Sequence, residues 1–426
     1  MRIKELKIKD FKGISSLKFN PKKINLVVGK NNTGKTSLLE AIDLLFNPDK
    51  IEQRYPKHIS DIISVGSKYS ELTATLFYKR NAINLKISKA DEREVDYIFK
   101  KDLIDILINV LRKGKRYKTE ITEEIDITEE IKHELENRID EWMTPELWSG
   151  ILKKSIIIVK NGKDKKINYQ LESEEIRQVS GIIENLIKYL KNKPGSELAK
   201  KRDFQTKLVD VELELLRREI FVKYRFTYRH IPDDSDKKGV VLIKNLLQTG
   251  IELKEETPDI QNRILDIESI IKEHNVIKNL ESLDFDYVAF KDGSERKIIP
   301  FSFLGDGFKA IVGLLWYLSS KNIKNKIVLL DEPETHMHPG YIQELLKILI
   351  KFSDELNIQF FISTHSGDLI DSLFNENFSP EEQKYLEKEL TVLRMEKIDN
   401  YSIPEYLNYS DAEYTKNTLL LDLRGI

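Results

Sequence analysis

At 426 residues the chain exceeds the size at which one hydrophobic core stops growing, so two or more lobes are expected. Hydrophobic residues make up 40% and charged residues 33%, and no window approaches the ~18 apolar residues of a membrane span. A net charge of −2 implies no global attraction to nucleic acid, and the lack of cysteine excludes disulfides, thiolate zinc sites and cysteine nucleophiles.

The first stretch, MRIKELKIKDF, alternates apolar and charged residues and carries neither the apolar block nor the cleavage site of a secretory signal. A soluble, cytoplasmic protein with no membrane partner, mature from Met1, is the expectation. Strands are predicted at Ile3–Ile8 and Ile24–Val28, and a helix from Thr36, whose apolar set Leu38, Leu39, Ile42, Leu45 and Phe46 stops at Asn47-Pro48. Glu71–Tyr78 and Ala82–Ser88 read as a pair of strands. From about residue 90 to 285 the composition turns Lys/Glu-rich and helical. Ile176, Val179, Ile183, Leu186, Ile187 and Leu190 keep helical spacing up to Pro194-Gly195, and Ile156–Leu171 reads as a hairpin. Strand and helix then alternate again, with a hairpin turning at Asp292-Gly293, a buried helix face at Phe308, Ile311, Val312, Leu315 and Leu318, and apolar strands at Lys326–Leu330 and Gln359–Ser363. The expected fold class is α/β: a doubly wound core interrupted by a mainly helical insert. The expected parts are 1–90 and 286–380 for the core, 91–285 for the insert, and 381–426 for a tail packed on the core.

Residues 29–36 read GKNNTGKT and match the P-loop pattern in full, directly after a predicted strand and opening a predicted helix. Gly29 and Gly34 let the backbone N–H groups of Lys30, Asn31, Asn32 and Thr33 curl around phosphates, with the helix N-terminus adding a favourable dipole. Lys35 can then reach the β and γ phosphates, Thr36 can ligate Mg²⁺, and Ser37 continues the site, so ATP and Mg²⁺ are the implied cofactors. Such a site needs an acid at the end of a second buried strand, which KIVLLDE supplies: Asp331 for the metal and Glu332 as general base for water. Glu332 as a plain strand-end acid is the alternative. His365, closing FFISTHS, stands where a third strand would deliver a donor to the γ-phosphate, against the plainer reading of a structural histidine. His336 and His338 follow in the same acidic stretch, and no third protein ligand is identifiable for a zinc site.

Together FKGI (Phe11–Ile14), VVGKNNTGKTSLLEAI, FLGDGFKAIVGLL, VLLDEPETHMHP and FISTHSGDLI resemble the ABC-type ATPases of the SMC, RecF and OLD (overcoming-lysogenisation-defect) group, and most of all its OLD-like AAA-family members. The resemblance covers roughly residues 1–90 and 285–375. It implies an ABC-type head with a mixed sheet and flanking helices, two of which sandwich two nucleotides, each P-loop being completed by the partner's signature loop. Here that loop is FLGDG: Gly305 stands at the usual serine, Gly305 and Gly307 offer backbone N–H groups, and Ser302 could supply the hydroxyl. Asp306 reads as a cap for the following helix. Phe11 and Lys12 correspond to the segment near adenine and ribose, with a core aromatic the alternative for Phe11. Gln53 matches the family's glutamine loop by position only. The loop after Glu332, with Glu334, His336 and His338, is where the family contacts the other head. The nuclease domain that follows the ATPase in OLD nucleases has no counterpart in the tail, where Glu405, Asp411 and Glu413 are scattered.

The basic runs Arg112–Lys118 and Ala199–Lys207 are candidate nucleic-acid surfaces only if they converge; solvated helix faces are the alternative. The leading expectation is an ATP-dependent homodimer or higher homo-oligomer acting on DNA or in antiviral defence, with a separate nuclease or toxin effector. The alternatives are a slow nucleotide-sensing scaffold restraining such a partner and, at greater distance, a transporter's ATP-binding subunit.

Overall fold

The computed structural model describes residues 1–51, 55, 59–78, 81–116, 129–169, 171, 173–192, 239–244, 258–273, 279–284, 286–319, 323–335, 337–374, 378–398 and 401–424. The chain divides into two compact units, one of Met1–Pro48, Ser70–Asn84 and Asp233–Ile426, the other of Asp49–Tyr69 and Leu85–Pro232. These borders differ from the expected 90 and 285. Residues 49–69 join the second unit, and much of 233–285 returns to the first because its strand and helix pack on the P-loop core.

The first unit opens with β1 (Ile3–Phe11), β2 (Ile14–Phe19), β3 (Ile24–Val28), α1 (Lys35–Phe46) and β4 (Tyr69–Leu76). The stop at the end of α1 is the one its sequence predicts: the Asn47 backbone N–H donates to the Asp43 carbonyl at 2.8 Å before Pro48.

The second unit holds most of β5 (Ile83–Lys89), followed by α2 (Glu92–Arg116), α3 (Glu129–Trp142), α4 (Pro145–Lys153), β6 (Ile156–Lys160), β7 (Asp164–Asn168) and α5 (Ser173–Asn192). The strands run β5-β6-β7, both pairs antiparallel, and the β6–β7 hairpin turns through positive φ at Asn161 and Gly162. The stripe Val179, Ile183, Leu186 and Ile187 of α5 is buried with Val95, Phe99, Leu103 and Leu135 in a core of its own. Thr144 caps α4, its hydroxyl accepting from Leu147 N–H at 3.2 Å.

The first unit resumes with β8 (Val240–Ile243), α6 (Pro258–Glu273), β9 (Leu280–Leu283), β10 (Tyr287–Asp292), β11 (Glu295–Pro300), α7 (Asp306–Leu318), β12 (Ile327–Asp331), α8 (Pro339–Glu355), β13 (Gln359–Thr364), α9 (Gly367–Phe374), α10 (Pro380–Glu389), β14 (Leu390–Ile398), β15 (Tyr401–Asn408) and α11 (Tyr409–Glu413). Its main sheet runs β4-β1-β2-β15-β14-β3-β13-β12-β8, and β9, β10 and β11 form a separate antiparallel sheet whose β10–β11 turn has φ +60° at Gly293. The block β14-β3-β13-β12-β8 is parallel throughout, and β15 also pairs parallel with β2, whereas β1 pairs antiparallel with β2 and β4, as does β14 with β15. The fold is therefore a mixed α/β sheet, of which the doubly wound reading describes one part.

Every residue of β3 and β13 is buried, as expected for parallel strands covered on both faces. Alternation explains the two layers: Ile24, Leu26 and Val28 join Val328, Leu330, Phe360 and Ile362 in a core with α7, α8 and α9. The opposite face receives α1, which packs against β8, β12 and β13. Burying each such aliphatic side chain contributes roughly 2 kcal/mol. The tail is more than a cover, because β14 and β15 insert between β2 and β3 and supply the neighbour of the P-loop strand.

Candidate functional site

Register brings the motifs to one edge. Val28 lies opposite Thr364, Asp331 opposite Ser363, and Val28 also opposite Arg394, so β3, β13 and β12 end at the same level while β14 runs on past it to Ile398. Their carboxyl ends open into a cleft of about 660 Å³ whose lining includes Asn31, Asn32, Gly34, Lys35, Thr36, Ser37 and Glu332. The carboxyl edge of parallel strands is where open α/β sheets bind ligands.

The P-loop backbone demands its glycines. Gly29 has φ +153°, and a Cβ there would lie 2.4 Å from the Met395 carbonyl oxygen; Gly34, with φ +98° at the N-cap of α1, would place one 2.6 Å from Ser402 Oγ. Asn32, at φ +63°, is one of the residue types that tolerate this region. Thr33 is buried, with its hydroxyl donating to the Lys30 carbonyl at 2.8 Å, while Lys30, Asn31 and Asn32 are exposed. The buried Lys35 ammonium folds back on the loop, donating to the carbonyls of Gly29 at 2.9 Å and Lys30 at 2.8 Å. Burial pushes its pKa down, opposed by the charges of Glu332, Asp331 and Glu334. A cation held this way, beside three acids, is poised to exchange carbonyls for phosphate oxygens.

Thr36 Oγ1 donates to Asp331 Oδ1 at 3.0 Å, and Ser363 Oγ donates to the same oxygen at 2.5 Å. A hydroxyl and a carboxylate so joined are the hard oxygen donors Mg²⁺ takes when phosphates supply the rest of its shell. Among the described residues no group of three His, Asp or Glu side chains could hold a metal unaided. Glu332, the next residue, sits at φ +50°, a conformation costing about 1–3 kcal/mol for a non-glycine residue. Two bonds from its N–H hold it there, to the Ser363 carbonyl at 3.0 Å and Ser363 Oγ at 3.1 Å. Its Oε1 meets His365 Nδ1 at 2.8 Å, so Glu332 and His365 form a pair across the ends of β12 and β13.

Glu334, expected on the loop that contacts the other head, has a buried carboxyl. It accepts a hydrogen bond from the Thr364 hydroxyl, and its Oε2 has no hydrogen-bond partner. Thr364 Oγ1 in turn accepts from Ser366 N–H at 3.0 Å, which shapes the turn that presents His365. Burial raises the Glu334 pKa more than the Thr364 bond lowers it. The folded state therefore binds this proton more tightly than the unfolded chain, and stability falls as pH rises above the ordinary value of 4.5. Glu334→Gln, which copies the neutral acid, should raise Tm at pH 8 and converge on the wild type near pH 4, as followed by thermal unfolding in nucleotide-free buffer. A variant less stable than wild type at pH 8 would show an ionised, cation-bound carboxylate instead.

Other expected site residues lie apart from the cleft. Phe11 is fully buried in the core, as the alternative reading had it, and Lys12 is ion-paired to Glu40, while Gly13 beside them does line the cleft. Ser302 and Gly305 are exposed around the start of α7 and, like Gly307, are not among the cleft-lining residues. Gly305 rather than Asp306 occupies the N-cap, and Asp306 pairs with Lys309 at 3.5 Å. His338 caps α8, its Nδ1 accepting from Gly340 N–H at 3.2 Å. His336, Gln53 and the run Ala199–Lys207 lie outside the described residues, as do Tyr117 and Lys118 of the other basic run.

Lys397 and Ser402 also line the cleft, and both come from the tail. That strand is not among those predicted from the sequence, where the partial alternation in TVLRMEKI is the available signal; nothing local marks its arrival beside the P-loop.

Comparison with known proteins gives the family. The chain is 23% identical over 411 residues to Endonuclease GajA of Bacillus cereus (strain HuB5-5), covering 83% of this chain and 54% of that protein. It thus spans about half the length of that relative. An uncharacterised protein of Methanocaldococcus jannaschii is 32% identical over 122 residues, which is 29% of this chain and all of the relative. The SMC head domain from Thermotoga maritima aligns with a TM-score of 0.44 at 12% identity, over 96% of this chain and 100% of that one. Residues 1–370 match the AAA ATPase domain family, and the chain belongs to that family.

Proposed function

We propose that this AAA ATPase domain binds ATP with Mg²⁺ in the P-loop cleft and hydrolyses it, with Glu332 as general base. The observation that supports this reading most is the convergence of Lys35, the Thr36–Asp331 pair and the Glu332–His365 pair on one sheet edge. Loop N–H groups and Lys35 bind the phosphate oxygens, the ammonium exchanging the Gly29 and Lys30 carbonyls for them. Thr36 and Asp331 would hold Mg²⁺, which when bound neutralises developing charge on the phosphates. Glu332 takes a proton from the attacking water, and His365 fixes the carboxylate through Nδ1. Proton transfer of this kind contributes typically 10²–10⁴-fold.

Head-to-head dimerisation on ATP fits the exposure of Ser302 and Gly305 at the start of α7, where backbone donors at the helix N-terminus suit a second copy's γ-phosphate. Similarity to an endonuclease over half its length supports a place in a DNA-processing or antiviral complex with a separate effector. A second reading, a slow nucleotide sensor restraining its partner, is favoured by Gly305, which offers no hydroxyl there. Phosphate release from Mg-ATP tests the activity. Wild-type turnover abolished by Lys35→Ala is expected, and turnover that survives it overturns the assignment. ATP-dependent dimerisation of Glu332→Gln in sedimentation would support closure between copies, and turnover below about one per minute with a copurifying partner would favour the sensor.

A further inference from the structure

The nucleotide cleft has a cation that no P-loop motif supplies. β14 runs parallel to β3 with Arg394 opposite Val28, so Met395 comes against Gly29 and β14 continues past the end of β3. Across the β14–β15 hairpin Lys397 pairs with Ser402. Directly opposed residues share a face, so a contact made by one locates the other. Ser402 abuts Gly34, and its N–H donates to the Gly13 carbonyl at 2.8 Å. The pair is thereby fixed on the cleft side, and both residues line the cleft. Among the described residues Lys397 makes no ion pair or hydrogen bond. Its neighbours of the same hairpin do otherwise: Arg394 is paired with Glu396 at 2.8 Å and Glu405 at 2.9 Å. A flexible, unpaired ammonium beside a loop of converging N–H groups suits an anion.

The sheet order says which part of the anion. β14 and β15 lie on one side of β3, whereas β13 and β12, carrying His365 and Glu332, lie on the other. The Glu332 side is where the bond to the γ-phosphate is broken, so a cation arriving from the opposite flank meets the end of the nucleotide that stays behind. We infer that Lys397 binds the α- and β-phosphates of the nucleotide, making the tail hairpin a cis-acting part of the nucleotide site. The inference rests on the nucleotide-binding reading of the cleft. Its distinguishing consequence is that ATP and ADP are affected alike.

The test is calorimetric titration of the full chain with Mg-ATP and Mg-ADP, comparing wild type, Lys397→Ala and Lys397→Arg, with thermal unfolding as the folding control. Lys397→Ala should bind both nucleotides about tenfold more weakly, the loss expected for one solvent-accessible charge-assisted contact, and Lys397→Arg should recover most of it. KM should rise by a larger factor than kcat falls. Equal affinity in wild type and Lys397→Ala overturns the inference while leaving the cleft assignment standing. A loss confined to ATP overturns the α/β placement. No binding of either nucleotide by the wild type overturns the cleft reading itself, and the inference with it.

Discussion

Glu332→Gln should lower kcat for ATP hydrolysis by about 10²–10⁴-fold while ATP remains bound. The substitution preserves shape, so the positive φ and the two bonds from its N–H to Ser363 are unaffected. What it removes is the ability to accept a proton from water. Steady-state phosphate release and a nucleotide-binding titration on the same protein check it. A fall in kcat without a fall in affinity is the signature of an interaction used in the transition state. If turnover stays within a few-fold of wild type, the base lies elsewhere and the Glu332–His365 contact at 2.8 Å is structural. His365→Ala should be milder than Glu332→Gln, because it loosens the carboxylate without removing it.

The second large effect is on stability. Glu40 lies on the buried side of α1, between Lys12 from the β1–β2 turn and Lys244 just past β8, whose Nζ is 2.5 Å away. Burial alone would push its carboxyl up, but Lys244 and Lys12 together hold it down to about 2. Relative to an ordinary value of 4.5, that corresponds to roughly 3 kcal/mol at neutral pH. The folded pKa is the depressed one, so the contribution is complete above 4.5 and is lost as pH falls from there toward 2. Glu40→Gln should therefore cost about 3 kcal/mol in urea unfolding at pH 7, with wild type and variant drawing together by pH 3. A gap that does not change with pH would mean that packing, and not the ion triad, holds these three elements.

How much of this was legible in the sequence follows from how far apart the partners are. GKNNTGKT announces its own geometry because the glycines, the lysine and the helix start are contiguous. KIVLLDE and FFISTHS were readable because each is an apolar run ending in polar chemistry, and the register of β12 on β13 sets Asp331 beside Ser363. The hairpin at Gly293 and the face of α7 were equally local. Glu334 was not readable, since exposed and buried acids after a strand look alike until α8 and β13 pack around them. Nor was the Glu40 triad, whose members are 28 and 204 residues from Glu40 along the chain. Phe11 shows the limit of motif transfer: the position matched, but its ring belongs to the core. The tail was read as a cover because its chemistry is plain. Its pairing with β3 joins segments more than 360 residues apart, and no periodicity encodes a partner at that distance.

That pairing has a consequence for synthesis. By the time Ser366 has been made, the motif residues of the cleft are all present, yet β3 still lacks the neighbour that β14 will become, and nothing yet joins it to β2. A nascent chain of that length presents a largely apolar parallel strand paired on one side only, by β13, the kind of open edge that recruits chaperones or foreign strands. Met395 and Ser402, which lie against Gly29 and Gly34, have not yet been translated, so the phosphate-binding loop lacks these neighbours as well. The nucleotide site proposed here therefore gains its full set of walls only once the β14–β15 hairpin has left the ribosome and paired with β3.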